Sequence, residues 1–170
     1  MPPKMIAGVY PRRCFSPPNR LIAACRPGRL RAVTDPLETV RRAGFEALGT
    51  EGTVEEVRAV WRAFSSVSAV PTVRIADGDP DPSAVETAWA RVVDTTGLVS
   101  SSGEFLLSVS ATGTHDAAWL RVQAGADARV LDLGPRDGEP DFVATNVGRT
   151  VSVAVTSEED ETWILVSVRE

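Results

Sequence analysis

The chain is poor in the residues on which much enzyme chemistry rests. Its 170 residues include one histidine, two cysteines and a single lysine, Lys4. One imidazole excludes any site built from several histidines. Cys14 and Cys25 have no histidine near them and do not complete a four-ligand zinc site. Two cysteines also cannot staple a disulfide-rich scaffold. Beyond Lys4 the protein has no amine for a Schiff base, which removes pyridoxal chemistry from residues 35–170. Neither Gly-x-x-x-x-Gly-Lys-Ser/Thr nor Gly-x-Gly-x-x-Gly occurs, so the common phosphate-cradling loops are missing. No apolar run reaches the ~18–20 residues of a membrane-spanning helix. No cofactor is expected, and a membrane partner is not expected.

What the chain does have is charge, unevenly spread. It carries 18 basic and 23 acidic side chains, a formal charge of -5. Residues 1–34 hold Lys4, Arg12, Arg13, Arg20, Arg26, Arg29 and Arg31 and no acid at all. All the acids lie in the remainder, whose negative charge would repel nucleic acid. The basic stretch also holds Pro2, Pro3, Pro11, Pro17, Pro18 and Pro27 in no periodic register. That composition predicts a disordered tail over 1–33 and a single α+β domain over 34–170.

Within the tail, Arg12-Arg13-Cys14-Phe15 resembles the core of a twin-arginine export signal, and Ile22-Ala23-Ala24-Cys25 resembles a lipobox. The second resemblance implies a lipid on Cys25 and a surface-anchored protein. Both need an apolar stretch of ~7–15 residues, and Pro17, Pro18, Asn19 and Arg20 interrupt it. A basic arm for phosphates is a further reading of the same charge. The arginine bias points to a GC-rich genome, where Val33 would serve as a GTG start just ahead of the first helix signal.

Along the body, Asp35-Pro36-Leu37-Glu38 carries an N-cap, a first-turn proline and a capping-box glutamate. Leu37, Val40, Gly44, Ala47 and Leu48 continue at helical spacing, with Gly49 as the stop. Thr53-Val54-Glu55-Glu56 opens a second helix striped by Val57, Trp61 and Phe64. The two predict a helical hairpin over 34–66. A strand over 70–76 and a helix from Asp81-Pro82 follow, the helix presenting Val85, Trp89, Val92 and Val93. The period then falls to two over 105–110, 118–123, 151–156 and 164–168, with a shorter strand over 129–133. Short connections dictate antiparallel pairing. The expected fold is therefore the hairpin plus one further helix on one face of a five- to six-stranded, mostly antiparallel sheet.

Val73-Arg74-Ile75-Ala76-Asp77-Gly78-Asp79-Pro80-Asp81 sets carboxylates two apart at a strand end, a spacing that suits Mg²⁺ or Ca²⁺. It is similar to the first motif of haloacid-dehalogenase-type phosphatases, which implies a nucleophile at Asp77 and an acid/base at Asp79. Asp81 stands where that family prefers Thr or Val, and the family's downstream lysine is missing. The stretch also looks like a calcium-binding EF-hand loop, but Pro82 and Ala88 occupy its Gly and Glu positions. Turn and cap chemistry accounts for every residue in it. A metal-dependent hydrolase on Asp77, Asp79 and Asp81 is accordingly the alternative function. His115 with Ser100, Ser101 or Ser102 lacks the Gly-x-Ser-x-Gly elbow of a hydrolase. The acidic turn 157–161 reads as a solvated hairpin tip.

The sheet's reverse face mixes Ser and Thr with Leu106, Trp119, Arg121, Trp163 and Leu165. Trp and Arg are enriched at interaction hot spots. The expected function is a non-catalytic bacterial, cytoplasmic module of the immunity-protein, secretion-chaperone or adaptor type. Its protein partner would bind at those five residues.

Overall fold

The computed structural model describes residues 35–66, 69–79, 81, 83–110, 117–136 and 138–169. The readings of the tail over 1–33, of Cys25 and of Val33, together with that of His115, lie outside the described residues.

Helix α1 (Pro36–Arg42) starts as its cap signals predict, with Asp35 Oδ1 accepting from the Leu37 amide at 3.0 Å. It does not run on to Leu48. Gly44 turns the chain at φ 83°, and a Cβ there would stand 2.8 Å from the Asp127 carbonyl oxygen. Only glycine tolerates both that dihedral and that approach. The backbone emerges into strand β1 (Phe45–Glu51). The helical hairpin expected over 34–66 is thus replaced by helix, strand, helix. Helix α2 (Val54–Phe64) has the full capping box: Glu56 N donates to Thr53 Oγ1 at 3.3 Å and Thr53 N to Glu56 Oε2 at 2.8 Å.

Strand β2 (Val73–Ala76) is shorter than expected, with Val70 left exposed. Helix α3 (Ala84–Thr96) begins after Ser83 and ends at Gly97 in the left-handed conformation. Strands β3 (Glu104–Val109), β4 (Trp119–Ala124), β5 (Asp141–Thr145), β6 (Val151–Ser157) and β7 (Glu161–Val168) complete the domain. The strand expected over 129–133 is instead a 3₁₀ turn, Val130–Asp132. Its Leu131 amide donates to Glu86 Oε1 of α3 at 3.0 Å, so the segment ties to a helix rather than to a sheet edge. Strand β5 gives no alternating signal because Phe142, Val143, Ala144 and Thr145 are all buried. A strand covered on both faces shows a continuous run instead of alternation.

The seven strands form one antiparallel sheet in the order β1-β4-β3-β5-β6-β7-β2. The helices do not share a face. Helices α1 and α3 cover Phe105, Leu107, Val122, Phe142, Val153, Val155 and Ile164. There Trp89 packs edge-on to Phe142 with ring centroids 5.3 Å apart, and Phe45 meets Phe105 at 5.9 Å. Helix α2 covers the opposite face through Val57 and Val60, over Leu106, Trp119, Val143, Ala154 and Leu165. Central strands with apolar groups on both sides leave large areas exposed unless both faces are roofed, and each buried Val or Leu side chain contributes about 1.5–3 kcal/mol. Among the described residues no helix is long and apolar enough to cross a membrane.

Candidate functional site

Alternation places Leu106, Trp119, Arg121, Trp163 and Leu165 on the one face beneath α2. Their expected exposure is not what the fold delivers. Leu106, Trp119 and Leu165 are only 0%, 1% and 4% exposed, because α2 lies on them as a second roof. They form a minor core and are packing residues, not the docking residues expected.

Arg121 is half-exposed but committed. Its Nε donates to Glu104 Oε2 at 2.8 Å, and its Nη1 lies 3.6 Å from Glu51. The Glu104 hydrogen bond and charge, with a further contribution from Glu51, raise the guanidinium pKa above its ordinary value. Trp163 is half-buried. Its Nε1 donates to Glu161 Oε2 at 2.6 Å, and the Arg74 guanidinium stacks 4.9 Å from its ring centroid. Trp61 and Phe64 of α2 pack against the same minor core and are likewise half-buried. The Trp61 indole donates to Ser108 Oγ at 2.9 Å. Around this aromatic strip stand the exposed Arg58, Arg62 and Arg74. Trp61 and Phe64 carry the helical stripe in the sequence, but nothing in that stripe announces their part in a surface strip.

The structure does not gather Asp77, Asp79 and Asp81 into a cage. Among the described residues no group of three or more acidic, histidine or cysteine side chains is placed to hold a metal. Asp79 Oδ1 accepts from the Asp81 amide at 2.9 Å. Asp81 Oδ1 accepts from Ser83 Oγ at 2.7 Å and from Ser83 N at 2.8 Å. Those two bonds lower the Asp81 pKa, the side-chain bond most. Ser100 and Ser102 likewise spend their hydroxyls on each other, 2.8 Å apart, within their turn.

The arrangement that sequence reasoning missed centres on Arg149, in the turn between β5 and β6. Asn146 Oδ1 organises that turn by accepting from the amides of Thr150 at 2.8 Å and Val151 at 3.1 Å. Arg149 is the one non-glycine residue at positive φ (57°) among the described residues. A charged side chain on a backbone conformation that disfavours it is a local strain worth an explanation. Its Nη1 donates to Glu56 Oε1 at 2.9 Å and its Nη2 to Glu51 Oε1 at 3.5 Å. Beside it a cavity of about 120 Å³ is lined by Glu56, Ala59, Val60, Trp119, Arg149 and Arg169. The turn's Gly-Arg pair was its only signal, and such pairs are common in hairpins.

Compared with protein families, with curated proteins and with solved structures, the protein matches none.

Proposed function

We propose that this protein is a binding module of the immunity-protein, secretion-chaperone or adaptor type, which holds a protein partner without reacting with it. The observation that carries this reading is the strip of Trp61, Phe64 and Trp163 along α2 and β7, bordered by Arg58, Arg62 and Arg74. Indole and guanidinium groups supply a large share of the energy at protein interfaces. The rings sit among charges of both signs, with Glu55, Asp141 and Glu158 beside them and Arg74 paired to Glu161 at 3.5 Å. The aromatic groups therefore carry the reading, and a partner with charges of both signs fits the surround. The docking surface is therefore moved from the bare sheet face to the flank of the helix that covers it. A cytoplasmic site of action belongs to the same proposal.

The test pairs the wild-type protein with Arg58→Gln/Arg62→Glu, two exposed substitutions on α2 that leave the minor core and the Arg74–Trp163 stack intact. Retention of a stoichiometric partner by the wild type, lost in the double variant at unchanged melting temperature, supports the reading. Equal retention by both proteins, or by neither, overturns it.

A further inference from the structure

We propose that the cavity beside the first half of α2 is a binding site for a carboxylate carried on a short apolar stem. It lies toward the other end of α2 from the aromatic strip and stands independently of the partner reading.

Three observations converge on it. Among the described residues, two buried side-chain nitrogens have no acceptor, Trp119 Nε1 and Arg149 Nε. Both residues line this one cavity. Buried donors are nearly always satisfied, so two orphans on residues that line the same cavity mark it as a place where an acceptor belongs. The indole is 1% exposed and so cannot turn to bulk solvent.

The other polar groups of the lining are already committed. Glu56 accepts from Thr53 N through Oε2 and from Arg149 Nη1 through Oε1. Thr145 donates its hydroxyl to the Val151 carbonyl at 2.7 Å, and Ser152 donates to Thr145 Oγ1 at 3.2 Å. What the cavity offers is therefore donors.

The cations of the lining are Arg149 and Arg169. Arg149 is already paired with Glu56 at 2.9 Å and with Glu51, just outside the lining, at 3.5 Å, which leaves Arg169 as the charge that favours an anion. An anion is favoured over a neutral carbonyl, because hydrogen bonds between ionised partners are the stronger kind. Size and walls set the rest. About 120 Å³ holds a group of a few heavy atoms, and Ala59, Val60 and the Trp119 ring make an apolar seat for a short stem. The C-terminus of a polypeptide and a free aliphatic acid of a few carbons share that chemistry.

The experiment follows the four indole N–H resonances of the full-length protein by ¹⁵N-correlated NMR at fixed ionic strength. The probes are propionate, propionamide, and trialanine as its free acid and as its C-terminal amide. The Trp119 resonance is expected to shift saturably with propionate or with the free-acid peptide, and at least ~5-fold more weakly with either amide. Arg169→Gln, on the rim, should weaken the response while leaving the spectrum folded. Trp119→Phe, followed by calorimetry, should abolish binding. A stronger response to the peptide acid identifies a polypeptide end as the ligand, and a stronger response to propionate a free acid. A Trp119 resonance that stays put while the acids are added, or that moves equally for acid and amide, overturns the proposal and leaves the cavity to water.

Discussion

Arg149 reaches Glu56 across 93 positions of sequence, closing a 2.9 Å ion pair between the β5–β6 turn and the first turn of α2. Glu56 at the same time completes the helix's capping box. One carboxylate therefore fixes both where α2 starts and where it sits on the sheet.

That coupling is measurable. In a double-mutant cycle by urea denaturation, Arg149→Ala and Glu56→Gln should interact by about 0.5–1 kcal/mol. The left-handed backbone adds a second handle. Arg149→Gly loses the same ion pairs as Arg149→Ala but relieves the positive φ, so it should be the more stable of the two by about 1 kcal/mol. Equal stabilities would mean that the backbone strain is not felt.

Gly44→Ala tests the turn that ended the expected hairpin. The new Cβ would meet the backbone of Asp127 and Ala128 at 2.8–2.9 Å and sit at φ 83°. Neither neighbour is a flexible side-chain end. The expected loss is about 2–4 kcal/mol by chemical denaturation. A neutral outcome would show that the α1–β1 corner adapts.

The same corner shows what the sequence carries and what it withholds. Capping signals are local chemistry, and Asp35, Thr53 and Glu56 act as their types dictate. Alternation over 105–109, 151–155 and 164–168 likewise marks true strands, because each has one side turned to the larger core. Helix termination at Gly44 is hidden because Ala47 and Leu48 happen to continue a helical spacing. The decisive cause is a backbone approach from Asp127, far along the sequence. The same holds for the candidate site. Which face Trp119 occupies follows from its period, but whether that face is roofed depends on where α2 lands. No local pattern encodes that.

Asp81 gives a pH-dependent prediction with a definite sign. Its pKa is lowered from the ordinary 3.8 by the Ser83 hydroxyl and amide. A carboxyl depressed in the folded state contributes stability above its unfolded pKa and loses it as pH falls through the folded pKa. Asp81→Asn should therefore be less stable than the wild type near neutral pH. The gap should close as the solution is taken below pH 3.8. Denaturation midpoints of the two proteins across that range check it, and a gap independent of pH would assign the effect to the amide itself.

The two tryptophans expected to face outward should now behave differently. Trp119 is enclosed by α2, Leu106 and Val143, so Trp119→Ala empties a packed site and should cost about 3–5 kcal/mol. Trp163 is only half-buried, with Arg74 over one face and Glu161 at its nitrogen. Trp163→Ala should cost about 1–2 kcal/mol, since much of its ring already meets water. Iodide quenching of single-tryptophan variants offers an independent readout, with Trp163 accessible and Trp119 protected. Similar stability losses for the two substitutions, with both indoles quenched alike, would mean that α2 does not hold its place over the sheet. The cavity and the aromatic strip would then lose their common wall.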